Sequence, residues 1–446
     1  MLVPYRLNRR RLLAGTALAA GAAPLLAGCD AGASSSGGGT VTLTVMYNNN
    51  ELTKAHIADF EKKHKGIKIE FIQYDATRLN AMLASNNPPD FVRGAAVGSA
   101  NTNARGLAEN LDPYLAKSSV LKKSDLLAVN DSFRWDGTTI GKGPYYGICK
   151  DWSQDATLWY NTALFDSAGV GHLDDTDAIT YDELLNIAKK LTTKKSGKTT
   201  VYGLGLEWAW NLYAPIAMMI AQQGGSLYDS GNAQTDLTTA AARKAIEWYV
   251  EFGQSAVGPS SLNPLPDGSD QSTFMAKRMA ITQDGYWFGG NFISSAGSLQ
   301  SSIRMAPAPV MGDQRISPTY AGIGAWIPAK SAHKDEAWKL MEYFMAGPPA
   351  LERAQSGWGL PALTSLLSKL PQKAAYQKQA YAVAQNELQY AGPLPDSPYV
   401  TVDNWNTVLD KYLQKAIKKQ ISVDSACQQI TDDVNKLLAQ GKDQIG

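Results

Sequence analysis

Four short stretches of the sequence bring together amide, carboxylate, guanidinium and indole side chains. The stretches are residues 48–51, 93–101, 150–155 and 284–287, and their best-placed members are Asn49, Glu51, Arg93, Asp151, Asp284 and Trp287. Amides and carboxylates can pair with two neighbouring hydroxyl groups at once, and an indole ring can lie flat against C–H groups. This combination suits a carbohydrate, whereas it is a poor match for a phosphate or a metal ion.

Each charged residue in these stretches also has a purely structural interpretation. Glu51 could complement the dipole of a following helix, and Asp284 begins an Asp-Gly pair that forms a turn by itself. Asp151 could be a solvated loop acid, and Arg93 could pair with a neighbouring carboxylate. The argument for a binding site therefore depends on the grouping of these residues in the predicted loops.

Tryptophan is plentiful, at 11 of 446 residues, and each indole could serve either a core or a ligand. Trp210, Trp287 and Trp405 are equally open to the two roles, because large aromatic side chains are usually mostly buried. Three others lie inside apolar or helical patterns and are interpreted as core: Trp159, Trp248 and Trp338. We therefore keep Trp210, Trp287 and Trp405 as candidate ligand contacts.

The elements that must position these stretches alternate between strands and helices. Residues 40–45, 67–72 and 90–93 have patterns typical of strands, and residues 51–63 and 76–84 have helical spacing. Strands that alternate with helices predict a parallel sheet covered on both faces. In such a sheet ligands bind at the carboxyl ends of the strands, which is where the polar stretches fall.

The first 28 residues have the organisation of an export signal. Arginines at 6 and 9–11 precede an apolar run at residues 12–27, which is short for a membrane span. Residues 8–13 resemble a twin-arginine export signal. The sequence therefore predicts that residues 1–28 are a signal peptide, with an uncleaved anchor or a chance basic start as the alternative.

A lipid attachment site follows the predicted signal. Residues 26–29, Leu-Ala-Gly-Cys, resemble a bacterial lipobox, in which the cysteine is lipidated. Residues 29–40 are rich in serine and glycine, a composition typical of a flexible tether. We therefore expect lipidation of Cys29 and attachment to the outer face of the cytoplasmic membrane.

Charge and length restrict the class of protein. Without the four arginines of the signal, 38 basic residues face 41 acidic ones, a net charge of −3. Such a chain lacks the positive charge that nucleic-acid binding requires. The 418 residues after the signal are enough for two substantial lobes.

Motifs for metal binding or catalysis are missing from the sequence. The four histidines are scattered, and there is no nucleotide-binding glycine loop, nucleophile elbow or HExxH pattern. We therefore expect no metal, no cofactor and no enzymatic activity. With Cys29 assigned to lipid, we expect Cys149 and Cys427 to be buried thiols, with a disulfide between them as the alternative.

A series of short motifs runs in order through residues 40–440. The motifs are Pro89-Asp90, Leu111–Leu115, Trp159–Asn161, Ala280–Trp287, Gly322–Gly324 and Gly359–Ala362. Together with the lipobox and the tether, this series resembles the extracellular solute-binding proteins of ABC sugar importers, the family that includes maltose-binding protein. The resemblance implies capture and delivery of a solute.

The resemblance also implies a fold. It is the α/β fold of type II periplasmic binding proteins, in which two lobes joined by a hinge close on the ligand. Each lobe would be a mostly parallel sheet flanked by helices. Residues 41–151 and 307–345 would form the first lobe, and residues 152–306 and 346–446 the second.

The resemblance further implies solute contacts at Asn49, Glu51, Asp151, Trp210, Trp287 and Trp405. Arg93 and Asp284 of the polar stretches and Gly324 of the Gly-Ile-Gly motif complete the predicted set. Residues 93–97 lack the aromatic side chain and the acid–base pair that maltose-binding protein has after its third strand. Sugar binding is therefore implied, but maltodextrin specificity is not.

These observations predict one function and leave two alternatives open. We expect a monomer that captures a sugar or oligosaccharide by lobe closure and delivers it to the permease of an ABC transporter. One alternative is a binding protein for another solute, such as a polyamine, an amino-acid derivative or a ferric complex. The other is an exported glycan-acting enzyme that uses Asp151 or Asp284 as a carboxylate pair.

Overall fold

A computed structural model of the protein describes residues 39–206, 211–266, 269–293, 298–319 and 322–445. All elements named below belong to one compact unit, Thr40–Gly446. The predicted signal peptide, Cys29 and Trp210 lie outside the described residues.

The described chain forms strands and helices from its start to its end. The strands are β1 (Val41–Tyr47), β2 (Ile67–Gln73), β3 (Phe91–Ala95), β4 (Arg134–Trp135), β5 (Ile140–Tyr145), β6 (Ile148–Trp152), β7 (Leu158–Asn161), β8 (Thr193–Lys195), β9 (Lys198–Gly205), β10 (Met279–Gln283), β11 (Ile303–Ala306), β12 (Ser317–Thr319), β13 (Ile323–Trp326), β14 (Leu360–Pro361) and β15 (Ala391–Pro393). The helices are α1 (Lys54–Lys63), α2 (Ala76–Ala84), α3 (Ser99–Ala104), α4 (Asp112–Leu115), α5 (Thr162–Ser167), α6 (Tyr181–Leu191), α7 (Tyr213–Gln222), α8 (Ala240–Ser255), α9 (Gln271–Met275), α10 (Ser298–Ser301), α11 (Lys334–Ala346), α12 (Pro348–Ser356), α13 (Ala375–Glu387), α14 (Val402–Ile417) and α15 (Val423–Ile445).

The first sheet has six strands in the order β14-β6-β13-β3-β1-β2. Strand β1 pairs in parallel with β2 and β3, and β13 lies antiparallel between β3 and β6. Alternate residues of β1, Leu43 and Val45, are fully buried and share a core with Phe344 of α11. This arrangement places the carboxyl ends of β1, β2 and β3 at one edge, as the alternation of strands and helices predicts.

The second sheet has five strands in the order β11-β7-β10-β9-β8. Strand β10 is parallel to β9 but antiparallel to β7, which is also antiparallel to β11. Helices α6, α7, α8, α14 and α15 supply most of the core residues on this sheet. Both sheets are therefore mixed, whereas the expectation was of mostly parallel sheets.

The chain passes between the two sheets more than once. It leaves the first sheet after Trp152 of β6 and enters the second at Leu158 of β7. Residues 307–316 stay with the second sheet, because Val310 bridges to Thr180 and Met311 lies in that core. Strand β14 still pairs with β6 of the first sheet. The predicted lobe boundaries at 306 and 345 stay a prediction.

Two further observations concern the cysteines and membrane-spanning helices. Cys149 and Cys427 are both buried and unpaired, which confirms the prediction of two buried thiols. Within the described ranges no helix combines the length and apolar character needed to span a bilayer.

Candidate functional site

Glu51 lies in the loop that follows β1. Helix α1 begins at Lys54, three residues later than predicted, because the Thr53 side chain accepts the His56 N–H and caps the helix there. Glu51 is therefore outside the first helical turn and does not complement the helix dipole. Its Oε1 atom instead accepts a hydrogen bond of 3.0 Å from Nδ2 of Asn48.

Arg93 occupies the middle of β3 and points to the same loop. Its Nε donates to Oε1 of Glu51 at 3.0 Å, and its guanidinium lies 5.9 Å from the centre of the Tyr74 ring. Burial opposes the charge of Arg93, but the attraction of Glu51 outweighs it and raises the pKa of the guanidinium. Arg93 therefore pairs with a neighbouring acid, as one of its two interpretations predicts, and its contact with a solute stays a prediction.

Two more basic residues complete the cluster. Lys150 Nζ lies 3.2 Å from Oδ2 of Asp151 and 3.7 Å from Oε2 of Glu51. Arg353 of α12 donates through Nε to Oδ2 of Asp151 at 3.0 Å and through Nη2 to Oδ1 at 3.4 Å. Glu51, Arg93, Lys150, Asp151 and Arg353 thus form a continuous group, here called the charge cluster.

Burial makes the pairing within the charge cluster necessary. Lys150 is only 4% exposed, and burial lowers the pKa of its ammonium group. Burial also opposes the charge of Asp151, but Arg353 and Lys150 outweigh that effect and lower the pKa of its carboxyl group. Lys150 and Asp151 belong to β6, so the stretch 150–155 begins in a buried strand. Asp151 is therefore not a solvated loop acid.

Two tryptophans lie next to the charge cluster. Trp287, in the turn after β10, has its ring centre 5.5 Å from that of Trp358, and both residues are half-buried. The guanidinium of Arg353 lies 5.4 Å from the Trp358 ring. Trp287 and Trp358, here called the tryptophan pair, present aromatic surface of the kind that a sugar ring can cover. Their closeness to Arg353 connects them to Asp151.

Trp358 was not among the predicted residues. Its neighbour Gly359 has a positive φ of +104°, and a Cβ there would lie 3.3 Å from Cβ of Asp151. The motif Gly359–Ala362 began one residue too late to include the indole. A tryptophan between two glycines, Gly357 and Gly359, was the signal that could have identified it.

A cavity of about 470 Å³ lies beside Arg93, within the range of small-molecule sites. One wall is the loop that follows β3, and the other is the start of α14. Its aromatic and polar lining includes Tyr74, Arg93, Ser99, Thr102, Asn103, Phe133, Tyr146, Trp326, Thr401 and Asp403. Arg93 belongs to both the cavity and the charge cluster, so the two features are continuous.

Asp284 and Asn49 have different surroundings from those predicted. Asp284 is 2% exposed, and its backbone exchanges two hydrogen bonds of 2.8 Å with Thr157. This contact supports the interpretation of Asp284 as a turn residue. Asn49 is exposed, and its backbone N–H donates to Gln73. Asn48, one residue earlier, is the amide that reaches Glu51.

Trp405 and Gly324 serve the packing of the fold. Trp405 is 1% exposed in the core of the second sheet, and its Nε1 donates to the Tyr228 hydroxyl at 2.8 Å. A Cβ at Gly324 would lie 1.9 Å from the Ile148 carbonyl oxygen, so glycine allows β13 to approach β6. The Gly324 carbonyl already accepts the Tyr47 hydroxyl at 3.0 Å. Trp405 and Gly324 therefore have structural roles in the fold, and their contact with a solute stays a prediction.

Comparison with solved structures identifies the fold. A TM-score of 0.74 relates the chain to an ABC substrate-binding protein of Listeria monocytogenes in complex with cycloalternan, at 21% identity over 89% of this chain and 98% of that one. The same score relates it to an ABC transporter solute-binding protein of Thermotoga lettingae bound to α-D-tagatose, at 20% identity over 90% of this chain and 100% of that one. These similarities confirm the predicted two-lobed α/β fold of the type II class.

Comparison at the level of sequence matches part of a curated relative, and a family pattern matches more than half of this chain. The chain is 26% identical over 195 residues to the maltotriose-binding protein of Pyrococcus abyssi. That match spans 42% of this chain and 40% of the relative, so it covers less than half of either protein. The family pattern of the bacterial extracellular solute-binding proteins matches residues 48–347, which is more than half of the chain. The chain therefore belongs to the family of bacterial extracellular solute-binding proteins.

Proposed function

We propose that this protein captures a sugar or short oligosaccharide between two lobes and delivers it to the permease of an ABC transporter. The observation that carries the proposal is the cavity beside Arg93. Tyr74 and Tyr146 offer half-buried aromatic surface there, while Thr102 and Asp403 offer hydrogen-bonding groups. Aromatic faces combined with a few polar groups match the C–H faces and hydroxyl groups of a sugar.

The charges around the cavity favour a neutral solute. Arg93 is paired with Glu51 at 3.0 Å, so its charge is largely balanced within the protein. A polyamine would need several convergent carboxylates, whereas Asp403 is the carboxylate among the lining residues. The solved structures that the chain resembles hold cycloalternan and α-D-tagatose, and the curated relative is named for maltotriose. These ligands support the proposal of a sugar here.

Lobe closure is the proposed mechanism. The first lobe is built on the six-stranded sheet and the second on the five-stranded sheet, with β6 leading from one to the other. The cavity has one wall on the loop after β3 and the other at α14, whose core residues pack on the second sheet. A solute that contacts both walls binds the closed form better than the open form and so shifts the equilibrium towards closure.

The position of the protein in the cell follows from the N-terminal pattern. Cleavage after Gly28, lipidation of Cys29 and the tether at 29–40 would hold a monomer at the outer face of the cytoplasmic membrane. Attachment to that membrane raises the local concentration of the loaded protein near its permease. Loss of membrane attachment in a Cys29→Ser variant, measured by cell fractionation, tests this part of the proposal.

A glycan-acting enzyme is a poorer match to the geometry. Asp151 accepts hydrogen bonds from Arg353 and lies 3.2 Å from Lys150, and both cations lower the pKa of its carboxyl group. A general acid needs a raised pKa, so Asp151 is not suited to protonate a glycosidic oxygen. Incubation with chromogenic glycosides is expected to release no product, and any turnover that Asp151→Asn abolishes would support the enzyme instead.

The direct test is a solute panel on protein comprising residues 30–446, which contains the whole compact unit. Tryptophan fluorescence and Tm are measured with mono- and oligosaccharides, and with amino acids, polyamines and ferric citrate as controls. A saturable spectral change with a higher Tm for one class of sugar is the expected result. A response to a control solute and to no sugar would retain the family and overturn the choice of solute.

A further inference from the structure

A buried carboxyl group joins two chain segments that are almost 300 residues apart. Asp396 is 9% exposed, and its Oδ2 atom accepts the backbone N–H groups of Gly98 at 2.9 Å and Ala100 at 3.3 Å. The other oxygen, Oδ1, accepts the N–H of the adjacent Ser397 at 2.9 Å. The carboxyl group thus has partners on both segments.

A second hydrogen bond lies beside the first group. Nδ2 of Asn101 donates to the Pro398 carbonyl oxygen at 2.6 Å. The side chain comes from the segment at 98–101 in this case, and the acceptor comes from the segment at 396–398. Because donors and acceptors are supplied from both sides, the two segments are joined by reciprocal contacts.

Each segment is fixed to a different part of the fold. Asn103 Nδ2 donates to the Phe133 carbonyl, and the Ser99 hydroxyl donates to the Ser132 carbonyl, so the first segment is held to the first lobe. Leu394 and Val400 of the other segment lie in the core of the second sheet. The hydrogen bonds of Asp396 and Asn101 therefore cross from one lobe to the other.

The first segment and the residues that directly follow the second segment line the cavity. Gly98 and Ser99 line it on one side, and Thr401 and Asp403 line it on the other. Asp396 itself is not part of the lining. Its hydrogen bonds therefore set the spacing between the walls without a contact to the solute.

We propose that Asp396 and Asn101 form an interlobe latch that holds the two cavity walls at the spacing needed for solute binding. The inference rests on the proposed function, because it assigns Asp396 as a positioning residue for that site. Separation of the lobes would break the bonds to Gly98 and Ala100 and leave their N–H groups to water. The latch therefore stabilises the closed arrangement selectively, and part of the affinity for the solute depends on it.

Hydrogen exchange tests the latch without any solute. Asp396→Ala removes the carboxyl group, Asn101→Ala removes the second bond, and Asp443→Asn, at an exposed carboxylate on α15, is the matched control. Amides in peptides covering 96–103 and 394–400 are expected to exchange faster in both latch variants, with a larger radius of gyration in solution scattering. Exchange equal to that of Asp443→Asn in both peptides would overturn the latch.

Solute affinity provides the second test. With the sugar that binds the wild-type protein, Kd is expected to rise about tenfold in Asp396→Ala, because two cross-lobe bonds are lost, and about threefold in Asn101→Ala. An unchanged Kd in Asn101→Ala and in a folded Asp396→Ala protein would refute the positioning role. If the wild-type protein binds no sugar, the proposed function fails, while the exchange experiment still decides on the latch.

Discussion

Replacement of Lys150 by methionine would show how much the charge cluster contributes to stability. Methionine has a similar length and keeps the contact with Phe344, whose ring centre lies 4.8 Å from Nζ, but it removes the buried ammonium group. Removing one partner of a buried ion pair costs about 3–5 kcal/mol. Glu51 and Asp151 each keep an arginine at 3.0 Å, and the burial penalty of the ammonium group also disappears. We therefore expect the free energy of unfolding to fall by about 2–3 kcal/mol, at or below the lower end of the cost of breaking a buried ion pair.

Urea unfolding followed by tryptophan fluorescence measures this loss. Lys189→Met is the matched control, because Lys189 pairs with Glu251 at 2.8 Å with both side chains well exposed, and such pairs contribute about 1 kcal/mol or less. Adding Glu51→Gln to Lys150→Met should cost less than the sum of the two single changes, since one change removes the group that the other leaves unpaired. A free energy for Lys150→Met within about 0.5 kcal/mol of the wild-type value would refute the reasoning, since that is the range of ordinary surface substitutions.

Three other predictions concern the solute, pH and the thiols. Trp287→Ala and Trp358→Ala should each raise Kd for the bound sugar about tenfold, since an aromatic contact contributes about 0.5–1.5 kcal/mol beyond its buried area. Replacement by phenylalanine should have a smaller effect. Calorimetric titration measures Kd, and unchanged affinity in both alanine variants would remove the tryptophan pair from the site. Burial raises the pKa of Asp396 from 3.8 to about 7, so the folded chain binds the proton more tightly than the unfolded chain. Its contribution to stability is therefore complete below about pH 4 and is lost as pH rises towards 7. The Tm of Asp396→Asn relative to that of the wild type should increase over that range, and a decrease would contradict the sign. Burial also raises the pKa of Cys427 to about 11 and that of Cys149 well above its ordinary value. Both thiols should react with a thiol reagent only after unfolding, and rapid labelling of native protein would disprove this.

The first lobe could be predicted from sequence over the stretch where local pattern is strong. Strands β1, β2 and β3 have apolar residues with the spacing of buried strands, and helices separate them. Strand β14 has only two residues and β13 four, so neither carries a periodic pattern. Their antiparallel pairing with β6 is fixed by tertiary packing, which explains why the sheets were expected to be mostly parallel.

The candidate site was predictable where its residues follow strands, and not where they come from distant segments. Glu51 and Arg93 were identified because each lies at the carboxyl end of a strand or near it. Arg353 joins Asp151 from a helix about 200 residues further along the chain, and no local signal connects the two. Lys150 was placed in a predicted loop, but it is buried in β6, where the carboxylates of Glu51 and Asp151 compensate its charge.

The pairing of Arg93 with Glu51 also affects selectivity. An anionic solute that enters the cavity meets a guanidinium that a carboxylate already engages at 3.0 Å. To gain a salt bridge it would have to displace Glu51, whose side chain is only 8% exposed and has Lys150 at 3.7 Å as its next cation. The energy gained from the new contact would be largely cancelled by the one that is lost. Arg93 can still donate hydrogen bonds from its remaining N–H groups. In the proposed site we therefore expect the pair to discriminate against sugar acids and sugar phosphates and to accept uncharged hydroxyl groups.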